Sequence, residues 1–220
     1  LKMLDQAEER YLPGFFPDVQ PIASSRARIW ISLGDLASAR TWAAALRGEG
    51  AEGDGYLDQY NALTEVRLLL AEQRAAGIES EADEQAIYLL DSVIEATKAG
   101  RGGGLVEATM LRGLANAARG EMDAALDDIS SAVAEGEPVG YVRLFLDEGQ
   151  PMVELLGKLA QDQGRTGPAE LAQRLITLVR RRQAGGSIAP VLDDALSQRE
   201  LDVLRLLPSD LTGPEIARQL

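Results

Sequence analysis

The chain contains no cysteine and no histidine among its 220 residues. Disulfides, thiol nucleophiles, Cys/His zinc sites and imidazole bases are therefore excluded. A Ser-His-Asp triad falls with them. Aromatic residues make up only 5% of the chain, whereas the 45% hydrophobic content is mostly Leu and Ala. Leu and Ala favour helices, and strands favour β-branched and aromatic residues. An all-β fold is thus disfavoured from composition alone. Uninterrupted apolar runs are only a few residues long, so no segment reads as a membrane-spanning helix. Lysine is confined to Lys2, Lys98 and Lys158, none of them in a recognisable motif. No G-x-x-x-x-G-K-[ST] occurs, so no phosphate loop of that type is present. The chain starts at Leu1 without a signal peptide, which predicts a cytoplasmic fragment lacking its natural N-terminus.

Charge is present in quantity but mostly of one sign. Twenty-two Lys and Arg face 35 Asp and Glu, a net charge of −13. Such a chain is a poor global match for nucleic acid, whose affinity for proteins rests largely on phosphate contacts. A small DNA-reading module is still compatible with it.

Three stretches share one shape: an apolar helix, a Gly with an acidic residue one or two positions after it, then an Ala-rich helix. The first is Trp30-Ile-Ser-Leu33-Gly34-Asp35-Leu-Ala-Ser-Ala39-Arg-Thr-Trp42. The second runs from Leu68 through Gly77 to Leu90, and the third from Leu111 through Gly120-Glu121 to Leu126. Gly34, Gly77 and Gly120 are separated by two equal intervals of 43 residues. A Gly tolerates the left-handed conformation that ends a helix. Asp35 and Glu121 then complement the dipole at the next helix start. Ala39 and Ala125 are small enough to let paired helices approach closely. Leu63, Val66 and Leu70, and later Ile87, Leu90 and Ile94, keep helical spacing. One such hairpin cannot bury its apolar face alone, so stacking into an α-solenoid is predicted. At least seven helices are expected between Pro21 and Arg182.

The pattern resembles the tetratricopeptide repeat. Trp30, Leu33 and Gly34 carry its W-x-x-L-G spacing, and Gly120-Glu-Met-Asp-Ala-Ala125 resembles its inter-helix turn. The extra length per repeat is expected in loops at Gly48–Gly55 and Gly100–Gly104.

A fourth unit departs from the others. Tyr141-Val-Arg-Leu-Phe-Leu-Asp147-Glu148-Gly149 reads as a short helix, and Pro151 suits the first turn of the next. Residues Pro168 to Arg182 read as an amphipathic helix with Leu171, Leu175, Leu178 and Val179 on one stripe. Gln183 to Pro190 is a linker by composition. Beyond it, Ser197-Gln-Arg-Glu200 forms a capping box with Leu196 and Leu201 at staple positions. Thr212-Gly-Pro-Glu215 repeats the device with Leu211 and Ile216. Two short capped helices joined by about four residues read as the opening of a helix-turn-helix.

Leu196-Ser-Gln-Arg-Glu200-Leu-Asp-Val-Leu204, with Glu215-Ile216-Ala217 and Leu220, is similar to the LuxR-type DNA-binding domain. Asp210 stands where that family has Gly, and the groove-reading third helix is not in the chain. Tyr141 to Gly149, Leu155-Leu156 and Phe15-Phe16-Pro17-Asp18 look like the sensor region of large MalT-like regulators. The resemblance implies a sensor domain at 1–182, a linker at 183–195 and the first two DNA-binding helices at 196–220. It implies DNA contacts at Arg199, Glu215 and Arg218, made only in the intact protein. It also implies an ATPase domain, with ATP as cofactor, outside this chain; no cofactor is expected within it. The partner of the sensor region is an unidentified effector, a protein, or a second copy of the chain. The alternative is a protein- or peptide-binding repeat scaffold without transcriptional role.

Several sharper readings have plainer rivals. Gly100-Arg-Gly-Gly-Gly104 lacks the Lys-Ser/Thr of a phosphate loop and reads as an inter-hairpin loop. Asp147 and Glu148 are adjacent and do not face each other on a helix end. Arg180-Arg181-Arg182 suits a helix C-terminus. Tyr11, Phe15, Phe16, Trp30 and Trp42 form a candidate effector or partner surface, and inter-helix packing is the plainer reading. No enzymatic activity is expected.

Overall fold

A computed structural model describes residues 1–10, 21–48, 56–77, 81–97 and 103–183. It divides into a compact unit over Leu1–Val179 and a second over Arg180–Leu220, of which only the first four residues are described. The described residues are all-α, without a strand. The helices are α1 (Lys2–Glu9), α2 (Ile22–Leu33), α3 (Leu36–Gly48), α4 (Tyr56–Ala76), α5 (Glu81–Thr97), α6 (Gly103–Ala118), α7 (Met122–Gly136), α8 (Val142–Leu146), α9 (Gln150–Leu159) and α10 (Thr166–Gln183). A 3-10 turn at Gln163–Arg165 precedes α10. Nine α-helices therefore lie between Pro21 and Gln183 among the described residues.

The helices pair as α2/α3, α4/α5 and α6/α7, and each pair turns on one of the three equally spaced glycines. Gly34, Gly77 and Gly120 have φ of +79°, +67° and +77°. At Gly34 the amide of Asp35 donates to the Trp30 carbonyl (2.9 Å) and that of Gly34 to Ile31 (3.1 Å). Glu121 and Gly120 repeat both bonds to Asn116 and Ala117. This double bond is the Schellman motif, which satisfies carbonyls left open at a helix end. Asp35 then caps α3: its carboxylate accepts the Ser38 hydroxyl (2.7 Å) and backbone N–H (3.2 Å). Those two hydrogen bonds, side chain first, hold the Asp35 carboxyl below its ordinary range. Glu121, by contrast, precedes α7 without a side-chain cap bond and pairs with Arg119.

Ala39 and Ala125 are fully buried, as their size predicts. The α6–α7 contact is closer than Ala125 alone explains. A Cβ on Gly113 would lie 2.7 Å from Ile129 Cδ1 and 3.1 Å from the Ala125 carbonyl oxygen. The main core runs from Leu63 on α4 to Ile176 on α10, with Leu90, Leu111, Ile129, Phe145, Leu156 and Leu175 wholly buried. A smaller cluster joins Ala39 and Ala43 of α3 to Leu68 of α4.

Four expectations need correction. Gly48 closes α3, and Gly103 and Gly104 open α6, so the glycine runs are not entirely loop. A Cβ on Gly103 would sit 3.3 Å from the Tyr141 ring, so close packing outweighs poor helix propensity there. α10 begins at Thr166, with Pro168 in the first turn, where a missing N–H costs nothing. Its buried stripe is Ala172, Leu175 and Ile176, whereas Leu171, Leu178 and Val179 are half-buried. Gln183 is the last residue of that helix; the linker positions after it lie outside the described residues.

Candidate functional site

Tyr11, Phe15 and Phe16 lie outside the described residues, as do Arg199, Glu215 and Arg218. Trp30 and Trp42 are half-buried against the small cluster of Ala39, Ala43 and Leu68. The two tryptophans thus share one packing cluster between α2, α3 and α4. Asp147 and Glu148 diverge: Asp147 pairs with Arg143 one turn earlier, and Glu148 turns into the body of the repeats.

There Glu148 meets a polar chain that no sequence pattern announced. Arg67 of α4 donates from Nε to Glu148 (2.8 Å) and from Nη1 to Glu107 of α6 (2.5 Å). Arg28 of α2 reaches the same Glu107 oxygen at 2.9 Å and donates to the Thr64 hydroxyl at 2.8 Å. Its guanidinium stacks over the Tyr60 ring, 3.7 Å from the centroid. The chain crosses α2, α4, α6 and the end of α8. Side chains of Arg67, Glu107 and Glu148 are 10–13% exposed. Burial alone would pull the Arg67 guanidinium down, but Glu148 and Glu107 overcome that and push it above its ordinary value. Burial, aided by the Arg67 charge, lowers Arg28. Two cations face two carboxylates, and every group has a partner. A charge-balanced, largely buried network of this kind is a clamp between hairpins. The one hint in the sequence is Arg67 itself, set among Leu63, Val66 and Leu70 on α4.

A cavity of about 230 Å³ lies elsewhere, between the ends of α4 and α6, the start of α7 and one face of α9. α4 contributes Leu70, Gln73 and Arg74; α6 contributes Leu114, Ala117 and Ala118; α9 contributes Pro151, Glu154, Leu155 and Lys158. These are steps of three and four, so each set forms one stripe of its helix. Met122, the first residue of α7, completes the wall. The floor is apolar, with Leu70, Leu114 and Leu155 each 5% exposed or less. Ala117 and Ala118 leave space that longer side chains would fill. The rim is polar: Arg74, Glu154 and Lys158 are exposed.

Two features set this cavity apart from the clamp. Gln73 is 7% exposed, and its Oε1 is buried with no hydrogen-bond partner among the described residues. Arg74 and Lys158 have no carboxylate partner among the described residues either. Every other described cation from α2 to α9 is ion-paired, Arg112 for example with Asp91 and Asp128. Both unpaired cations line this one space. Among the described residues no cluster of carboxylates is arranged to hold a metal ion, and no helix is long and apolar enough to cross a membrane.

Comparison with known proteins adds one finding. The family model described as "MalT-like TPR region" matches residues 1–162. No match was found among curated proteins or solved structures.

Proposed function

The chain belongs to the MalT-like TPR region family, and from that premise we propose that residues 1–182 are the sensor region of a LuxR-type transcriptional regulator. The region binds an effector, a protein or a second copy of itself. Its output passes to a DNA-binding head that begins in 196–220, in the cytoplasm. The observation that carries the reading is the order of the two signals in one chain. A MalT-like repeat region over 1–162 is followed by the LuxR-like Leu196–Leu220 pattern.

The chemistry of the repeats supports binding rather than catalysis. The strongest pKa displacements in the described residues fall on Arg67 and Arg112, both tied into ion pairs. Arginine in such pairs stays charged and transfers no proton near neutrality. The cavity offers apolar walls with a few polar groups at the rim, the usual composition of a small-molecule site. A self-associating sensor region would also raise the effective concentration of a second DNA-binding head. ATP, in this reading, belongs to an ATPase domain elsewhere in the intact regulator.

The test is a transcriptional reporter driven by the full-length regulator, with and without residues 1–182. Loss of the inducer response with basal promoter binding intact supports a sensor. An unchanged response to the same inducer overturns it.

A further inference from the structure

We propose that the cavity between α4, α6, α7 and α9 binds a free apolar amino acid, or a zwitterion of the same design. The proposal rests on the sensor reading and deepens it by naming a place and a ligand class.

Arg74 and Lys158 present cationic donors to the cavity without a carboxylate partner among the described residues. In a chain of net charge −13, where the other cations of α2 to α9 are paired, two free cations at one rim are a conspicuous exception. They call for an anion, and a carboxylate matches a guanidinium in geometry and charge. The Gln73 carbonyl oxygen is an acceptor without a donor, and leaving it so is costly in a buried site. It calls for an N–H or O–H. Glu154 adds a carboxylate at the same rim, engaged so far only by the Gln150 amide at 3.1 Å. A neutral amide acceptor and a carboxylate together suit an ammonium better than a hydroxyl. The floor of Leu70, Leu114, Met122 and Leu155 calls for an apolar body.

One small molecule carries all three: a carboxylate, an ammonium and an apolar side chain on a single carbon. Size agrees. The cavity, at about 230 Å³, falls just below the range of about 300–1,000 Å³ usual for drug-sized ligands. That volume accommodates a single amino acid. A sugar would leave its hydroxyls unpaired against the leucines. The placement suits a sensor, because the walls come from two successive hairpins and from α9. A ligand in the cavity contacts all of them at once and favours one arrangement of the stack.

The experiment is isothermal titration calorimetry on the 220-residue chain with four probes: L-leucine, L-phenylalanine, 3-phenylpropionate and phenethylamine. The last two lack the ammonium and the carboxylate respectively. The expected result is saturable binding of one or both amino acids, weakened about tenfold or more for each single-charge probe. Two variants locate the site: Arg74→Gln/Lys158→Gln removes the anion partners, and Ala118→Leu fills the space from an exposed position. Circular dichroism verifies that both stay helical. Each variant should lose about tenfold or more in affinity, while Arg40→Gln, remote from the cavity, should not. No binding of either amino acid to the wild type overturns the proposal. Equal binding of all four probes, or full affinity in both cavity variants, overturns it as well. None of these outcomes touches the sensor reading, which the reporter decides separately.

Discussion

Replacing Arg67 with Met tests the clamp most sharply. The substitution keeps much of the aliphatic bulk and removes the charge that Glu148 and Glu107 share. Glu107 keeps Arg28, 2.9 Å away, but Glu148 loses its cation while only 10% exposed. Breaking a buried pair by removing one partner costs about 3–5 kcal/mol. A domain holds only about 5–15 kcal/mol in total, so Arg67→Met should be a severely weakened protein. The double variant Arg67→Met/Glu148→Met removes both charges and leaves none stranded. It should be more stable than the single Arg67→Met, because apolar replacement of a whole buried pair is often close to neutral. The assay is urea unfolding followed by far-UV circular dichroism, with midpoints compared at constant slope. The Arg67 pKa is raised in the folded state, so its contribution is complete at every pH where a free guanidinium is charged and is lost only in strongly alkaline solution. The destabilisation by Arg67→Met should therefore not change between pH 6 and pH 10 on account of Arg67 itself. A loss under about 1 kcal/mol, the range of exposed pairs, would refute the buried clamp. So would additive single and double variants.

The other predictions are simpler. Ala125→Leu should over-pack the α6–α7 contact, where Ala125 is fully buried, and cost about 1–3 kcal/mol; an unchanged thermal midpoint would place the site in solvent. Gly120→Ala should cost about 1–2 kcal/mol, because φ is +77° and the strain does not depend on space; thermal unfolding reads it. Acid should fray the start of α3. The Asp35 carboxyl is held below its ordinary range, so its capping contribution is present above the unfolded pKa of about 3.9 and disappears as pH falls through the lower folded value. The protection of the Ser38 amide, measured against its intrinsic exchange rate at each pH, should fall on acidification in the wild type and be low at every pH in Asp35→Ala.

Local chemistry was legible in the sequence, and the parts built from distant residues were not. Gly34, Gly77 and Gly120 announce their turns because a left-handed helix end selects one residue type. Ala39 and Ala125 announce close helix pairs because size is written in the residue. Gly103 misleads, since helix propensity argues for a loop while the Tyr141 ring decides for close packing. The stripe of α10 differs from the expected one because small Ala172 takes a core position while the larger Leu171 and Leu178 stay half-buried, with only Leu175 common to both. The clamp joins Arg28, Arg67, Glu107 and Glu148 from four elements, and only Arg67 within an apolar stripe betrays it. The cavity is least legible. Its walls are ordinary helix faces, and only stacking brings Gln73 and Arg74 to the same space as Lys158.

The central claim is that these repeats decide what the regulator senses. Exchanging residues 1–162 for the corresponding region of a MalT-like regulator with a known inducer, within the full-length protein, tests it directly. The measurement is reporter transcription from this regulator's own promoter against the foreign inducer. Inducer specificity should move with the repeats while promoter choice stays with the host. A response that keeps the host's inducer after the exchange would contradict it.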